Sequence, residues 1–185
     1  LLDRAGVERW RADYDAADIA AEAVPPAELL AQLSSCDVMA ASDLPRAVGT
    51  ASRVCAGRAI QVSPLLREVS LPIPRLGIRA PLAVWAALIH ARWTLDTMRR
   101  RDVAADVRER VRAASDWCRE IARAHGERTT LAVVTHGVMR RLLLRELATT
   151  GWKPQGWRRS YSPWSVWTVG QGDDVPRRPN RSAAP

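Results

Sequence analysis

The chain has 185 residues, 47% of them hydrophobic, a formal charge of +8 and a pI near 10.8. That length supports one domain with a real core. It carries neither a disulfide framework nor a membrane-spanning helix: its three cysteines are odd in number with no C-x-x-C pair, and its longest apolar run, 82–95, falls short of the ~20 residues a bilayer needs and is broken by His90 and Arg92.

No signal peptide is visible, and Cys36, Cys55 and Cys118 suit a reduced setting, so the expected location is cytoplasmic. A structural zinc site is not indicated. The basicity raises the question of nucleic acid. Lys153 is the only lysine, however, and the arginines are scattered among Glu and Asp. An Arg- and Ala-rich chain without Phe points to a GC-rich genome, and a solvated basic surface is the favoured reading.

In chain order, residues 7–23 read as a helix with Trp10, Tyr14 and Ile19 available for packing. Pro25-Pro26 breaks it, and 27–33 is a short helix. Residues 36–41 form the first clear strand. Ser42 or Asp43 can cap the helix at 45–56, and Pro45 suits its first turn. Residues 59–62 are a short strand leading to Arg67-Glu68. The Pro-rich stretch 71–81 is a loop, followed by an apolar, Trp-bearing helix to about 100.

The clearest helix spans 103–124. Val103, Val107, Val111, Ala114, Trp117 or Cys118, and Ile121 recur every three or four residues, with Asp102 as its cap and Gly126 at its end. A strand at 130–135, a helix at 138–149 and a last strand at 165–169 complete the pattern. Alternating strands and helices from 36 to 150 predict an α/β three-layer sandwich, a mainly parallel sheet flanked by helices. Residues 1–170 are expected to form this domain, and 171–185 a disordered basic tail.

Two strand ends carry the chemistry. Val133-Val134-Thr135-His136-Gly137 puts an imidazole at the carboxyl end of a strand and the start of a helix, where backbone N–H groups and the helix dipole attract anions. Ser42-Asp43-Leu44-Pro45-Arg46 repeats the layout with a guanidinium, whose fork matches two phosphate oxygens. In a parallel sheet both face one crevice. Each residue also has a structural reading: His136 as a buried histidine bonded to backbone, Arg46 as a helix-start surface residue, Arg67-Glu68 as a solvated pair. His125 suits the negative end of its helix, and His90 reads as core or lid. Trp85, Trp93 and Trp117 read as packing residues, whereas Trp152, Trp157 and Trp164 read as packing or pocket lining.

Ser42-Asp43-Leu44-Pro45-Arg46-Ala47 with Thr50-Ala51, then Leu66-Arg67-Glu68, then Val133 to Gly137, resembles the histidine phosphatase superfamily, the phosphoglycerate mutase-like proteins, over about residues 7–169. The resemblance implies that fold and a phosphohistidine mechanism. A first histidine, in an Arg-His-Gly motif, attacks phosphorus. Arg46, as the second arginine, and His136, as the second histidine, hold phosphoryl oxygens, with Gly137 allowing close approach. Glu68 protonates the leaving oxygen, which requires a pKa raised by burial or by negative charge. No cofactor or metal is implied, and the partner is a small phosphorylated substrate, with nucleic acid and membrane disfavoured and oligomeric state open.

The pattern departs from the family at one place. The chain holds no Arg-His-Gly, and no histidine precedes His90. Leu1 to Gly6 mimics the motif only superficially, with Ala5 where histidine belongs. The preferred expectation is that the first strand and its nucleophile lie upstream of Leu1, so that this polypeptide is inactive as written. A decayed phosphate-binding relative is the runner-up. A basic nucleic-acid- or phosphate-binding module, resting on the charge and on Arg177, Arg178 and Arg181, is the competing function. Serine hydrolysis is disfavoured because no G-x-S-x-G elbow exists. Residues 70–100 are expected to cover the pocket, and their apolar character favours a phosphatase over a mutase of small charged sugars.

Overall fold

The computed structural model describes residues 1–98, 105–126, 128–155 and 162–171. Helices α1 (Arg4–Ala16) and α2 (Ala27–Leu33) precede strand β1 (Val38–Ser42). Helix α3 (Pro45–Val54), strand β2 (Ile60–Ser63) and a 3-10 turn (Pro64–Leu66) follow. Helices α4 (Leu82–Met98) and α5 (Ala105–His125), strand β3 (Leu131–Val134) and helix α6 (Gly137–Thr149) come next. Strands β4 (Lys153–Gln155) and β5 (Thr168–Gly170) close the sequence of elements.

The main sheet is parallel in the order β2-β1-β3. Its central strand is buried along its whole length, as expected when helices cover both faces. Side chains alternate between two cores. Val38 and Ala40 face the larger cluster, with Leu66, Trp85, Val111, Ala114, Ile121, Met139 and Leu143. Met39 and Ala41 face the smaller one, with Leu29, Ala51 and Val54. β3 divides in the same way, Leu131 and Val133 to one side, Ala132 and Val134 to the other. The α/β sandwich read from the sequence is the fold observed.

The long-helix stripe lands on the larger core. Val111, Ala114, Cys118 and Ile121 are buried, and Trp117 packs beside them partly exposed. Val103 and Asp102 lie outside the described residues. Gly126 takes φ +117° where the chain leaves α5, a conformation that needs glycine. From 71–100, Leu71, Ala80, Trp85 and Ile89 are core residues, with Trp85 fully buried.

Some expectations change. α1 occupies 4–16, not 7–23, because Asp3 caps it early through Gly6 N–H (2.8 Å). The residues mimicking the motif are thus a cap and a first turn, and Leu2 makes only an isolated bridge to Ala80. The last strand is Thr168–Gly170, not 165–169. It pairs antiparallel with β4, a short strand the sequence reading missed, because Lys153-Pro154-Gln155 has no apolar pattern to announce it. Neither Ser42 nor Asp43 caps α3. Its N-cap is Leu44, without a side-chain bond, because both polar residues serve the crevice loops instead. The tail beyond Gln171 and Trp157 lie outside the described residues.

Candidate functional site at the strand ends

The register levels the strand ends. Ser42 lies opposite Ser63, and Ala41 opposite Val134. The residues that follow each strand therefore emerge at one edge of the sheet.

After β1, Ser42 Oγ accepts the Leu44 N–H (3.3 Å) and Pro45 opens α3. Arg46 projects from that first turn, and its side chain is 13% exposed. One guanidinium nitrogen donates to the Tyr14 carbonyl (2.9 Å) and another to Asp15 Oδ1 (3.0 Å). The guanidinium also lies over the Tyr14 ring, 4.4 Å from its centroid. Tyr14 in turn stacks on Trp10.

After β3, Thr135 Oγ1 donates to the Leu66 carbonyl (2.8 Å), tying this strand end to the 3-10 turn. His136 is the N-cap of α6 but gives it no side-chain bond. Its Nε2 is buried and has no hydrogen-bond partner among the described residues. Burial pushes the His136 pKa below the ordinary imidazole value, and the Arg46 guanidinium pushes it further the same way. Glu68, Asp15 and Asp43 act against them more weakly. Arg46 and His136 thus share one electrostatic site.

After β2, Ser63 Oγ accepts the Leu65 N–H (3.2 Å) and turns the chain toward Arg67 and Glu68. Arg67 grips Asp43 with a two-pronged contact of 2.7 and 2.6 Å. The hydrogen bonds from Arg67 hold the Asp43 carboxyl below the usual range, and Asp43 raises the Arg67 pKa in return.

Glu68 points the other way. Its Oε1 accepts the N–H groups of Val69 (2.9 Å) and Met139 (3.0 Å), and its Oε2 that of Val138 (3.3 Å). The start of α6, expected to be an open anion site, is filled by this carboxylate, because Glu68 reaches the positive end of the helix dipole. Arg67-Glu68 is accordingly not a solvated ion pair. Gly137 has no positive φ. A Cβ there would lie 3.9 Å from Glu68 Oε2, an ordinary van der Waals contact, so neither φ nor packing among the described residues demands glycine at this position.

Arg46, His136, Glu68 and Gly137 therefore all lie at the same edge of the sheet. Tyr14, Asp15, Asp43 and Arg67 join them; the sequence places none of these four among the site residues, reading Tyr14 for packing, Asp43 as a helix cap and Arg67 as half of a solvated pair. One signal was available for Asp15: a carboxylate in the last turn of α1 opposes the helix dipole and calls for a tertiary partner. His125 and His90 bond backbone carbonyls of their own helices, Ile121 and Ala86, each at 2.8 Å. Trp85, Trp93, Trp117 and Trp152 pack on the larger core and Trp164 on the smaller. Among the described residues no three His, Cys, Asp or Glu side chains are grouped to hold a metal, and no helix is long and apolar enough to cross a membrane.

A parallel sheet with an arginine, a buried imidazole and a carboxylate at its carboxyl ends has the layout of the α/β proteins, whose ligand sites lie at that edge. The comparison with protein families narrows this class. The model of the histidine phosphatase superfamily (branch 1) matches residues 20–177, and the chain belongs to that superfamily. Neither the curated proteins nor the solved structures contain a match. Membership supports a function of phosphatase or mutase type on small phosphorylated substrates.

Proposed function

We propose that this protein hydrolyses phosphomonoesters through a phosphohistidine, and that the attacking histidine stands on a strand beyond this sequence that pairs with β3. The observation that carries the reading is the buried Nε2 of His136, without a hydrogen-bond partner among the described residues, at the end of β3 beside the strand β1 whose end leads into Arg46. The edge of the sheet adds support. Among the described residues β3 has a strand neighbour on one side only. Yet Leu-Ala-Val-Val is apolar throughout and packs on both cores, which is the character of an interior strand. It has no lysine, proline or inward charge to blunt an edge.

In this reading Arg46 and His136 bind the equatorial oxygens of the transferring phosphoryl group, where charge spreads in the transition state. The nucleophile's ring nitrogen forms a bond to phosphorus as the ester oxygen leaves, and Glu68 protonates that oxygen. Water then attacks the phosphohistidine, gives its proton to Glu68 and releases phosphate. As an acid, Glu68 must turn its hydroxyl away from the α6 N–H groups toward the leaving group. The expected pocket cover, residues 70–100, is apolar and Trp-bearing, which favours hydrolysis over transfer between highly charged sugar phosphates.

The test compares two proteins. The 185-residue chain should bind phosphate or vanadate but neither hydrolyse p-nitrophenyl phosphate nor form phosphohistidine. The chain extended by in-frame upstream codons should do both. Turnover by the 185-residue chain alone would overturn the placement of the nucleophile.

A further inference from the structure

Each positive group at the strand-end crevice already holds a carboxylate of the chain itself. Asp15 is on Arg46, Asp43 on Arg67, and Glu68 on the start of α6. The three contacts are not equally firm. Asp43 is held by two prongs and Glu68 by three backbone N–H groups. Asp15 offers Arg46 one oxygen, and its side chain is 41% exposed against 13% for Arg46. Asp15 also lies in the last turn of α1, where the helix dipole disfavours a negative charge. It is the carboxylate most easily exchanged for another anion.

We propose that Asp15 is an internal anion that occupies Arg46 in the resting site and must be displaced when a phosphoryl group binds. The proposal rests on the reading of Arg46 as a phosphate ligand. Tyr14 and Asp15 precede the span matched by the family model, 20–177, so this contact is not part of what that match describes. A phosphate dianion and the Asp15 carboxylate compete for the same donors and repel each other. Tyr14 stays behind: its carbonyl and ring hold the guanidinium in place while the carboxylate swings toward water.

The test titrates the 185-residue chain and its variants with inorganic phosphate by calorimetry. Asp15→Asn keeps the size of the side chain and removes its charge, and affinity should rise about fivefold. Asp13→Asn, two residues earlier and so on another face of the same helix, should change little. Unaltered or weaker binding by Asp15→Asn, in a variant whose melting temperature shows it folded, overturns the proposal. Arg46→Ala separates the two layers. Loss of binding in Arg46→Ala with no gain in Asp15→Asn defeats the internal anion alone; phosphate affinity intact in Arg46→Ala defeats the site and the proposal together. A carbon-13 label on the Asp carboxylates adds a second readout: the Asp15 signal should move on phosphate saturation and that of Asp43 should not.

Discussion

Glu68 Oε1 accepts the Met139 N–H at 3.0 Å, joining the loop after β2 to the start of α6 across 71 residues of chain. This side chain is at once the expected acid of the site and the tertiary cap of its main helix. The two roles draw on different properties, charge at the helix end and a transferable proton, and can be separated by substitution.

Glu68→Ala removes the acceptor of three N–H groups and should lower the unfolding free energy by about 1–2 kcal/mol, the worth of a good cap. Urea denaturation measures it. Glu68→Gln keeps one oxygen for Met139 and should lose less. If Glu68 is the proton donor, Glu68→Gln in the extended, active chain should cut turnover roughly a hundredfold or more for esters with poor leaving groups.

Arg46→Ala should weaken phosphate binding by about 1.5–3 kcal/mol, the range for a hydrogen bond to a charged group. Calorimetry against the parent chain checks it. An unchanged affinity removes Arg46 from the site.

His136 should titrate below the ordinary imidazole value of ~6.5 in the phosphate-free protein, because burial and Arg46 oppose its charge. As pH falls below ~6.5 the unfolded chain takes up this proton first, so stability from neutral His136 is full above that point. It is lost as pH falls from there through the folded pKa. Phosphate should move the midpoint up, since a dianion favours the imidazolium. Proton NMR of the three histidine rings, with and without phosphate, reads both shifts.

The amides of β3 that face away from β1 should exchange quickly with solvent in the 185-residue chain, alternating with protected neighbours along 131–134. In the extended chain they should become protected. Fast exchange in both would show that no strand adds there.

Only Cys55 should react readily with a thiol reagent in the native protein. Burial pushes Cys118 up to about 12 and also raises Cys36, so few thiolates form, and both are buried. All three should react in urea.

Much of this molecule follows from local pattern. The apolar runs at 36–41 and 130–135, Pro45 at a helix start and the stripe on α5 are short-range signals, and they placed the strands, the helices and the edge of the sheet at which Arg46 and His136 lie. The order of short motifs was enough to suggest the family that the comparison then supported. The partners of the charged groups were not legible in this way. Glu68 with Met139, Asp43 with Arg67 and Asp15 with Arg46 join residues 71, 24 and 31 positions apart. Which carboxylate reaches which donor depends on the register of β1 against β2 and β3 and on where α1 ends. Electrostatic pairing acts through space at a few ångströms, whereas sequence pattern reports only neighbours along a helix or strand. The chain's own order determined the crevice, and tertiary packing decided which groups fill it.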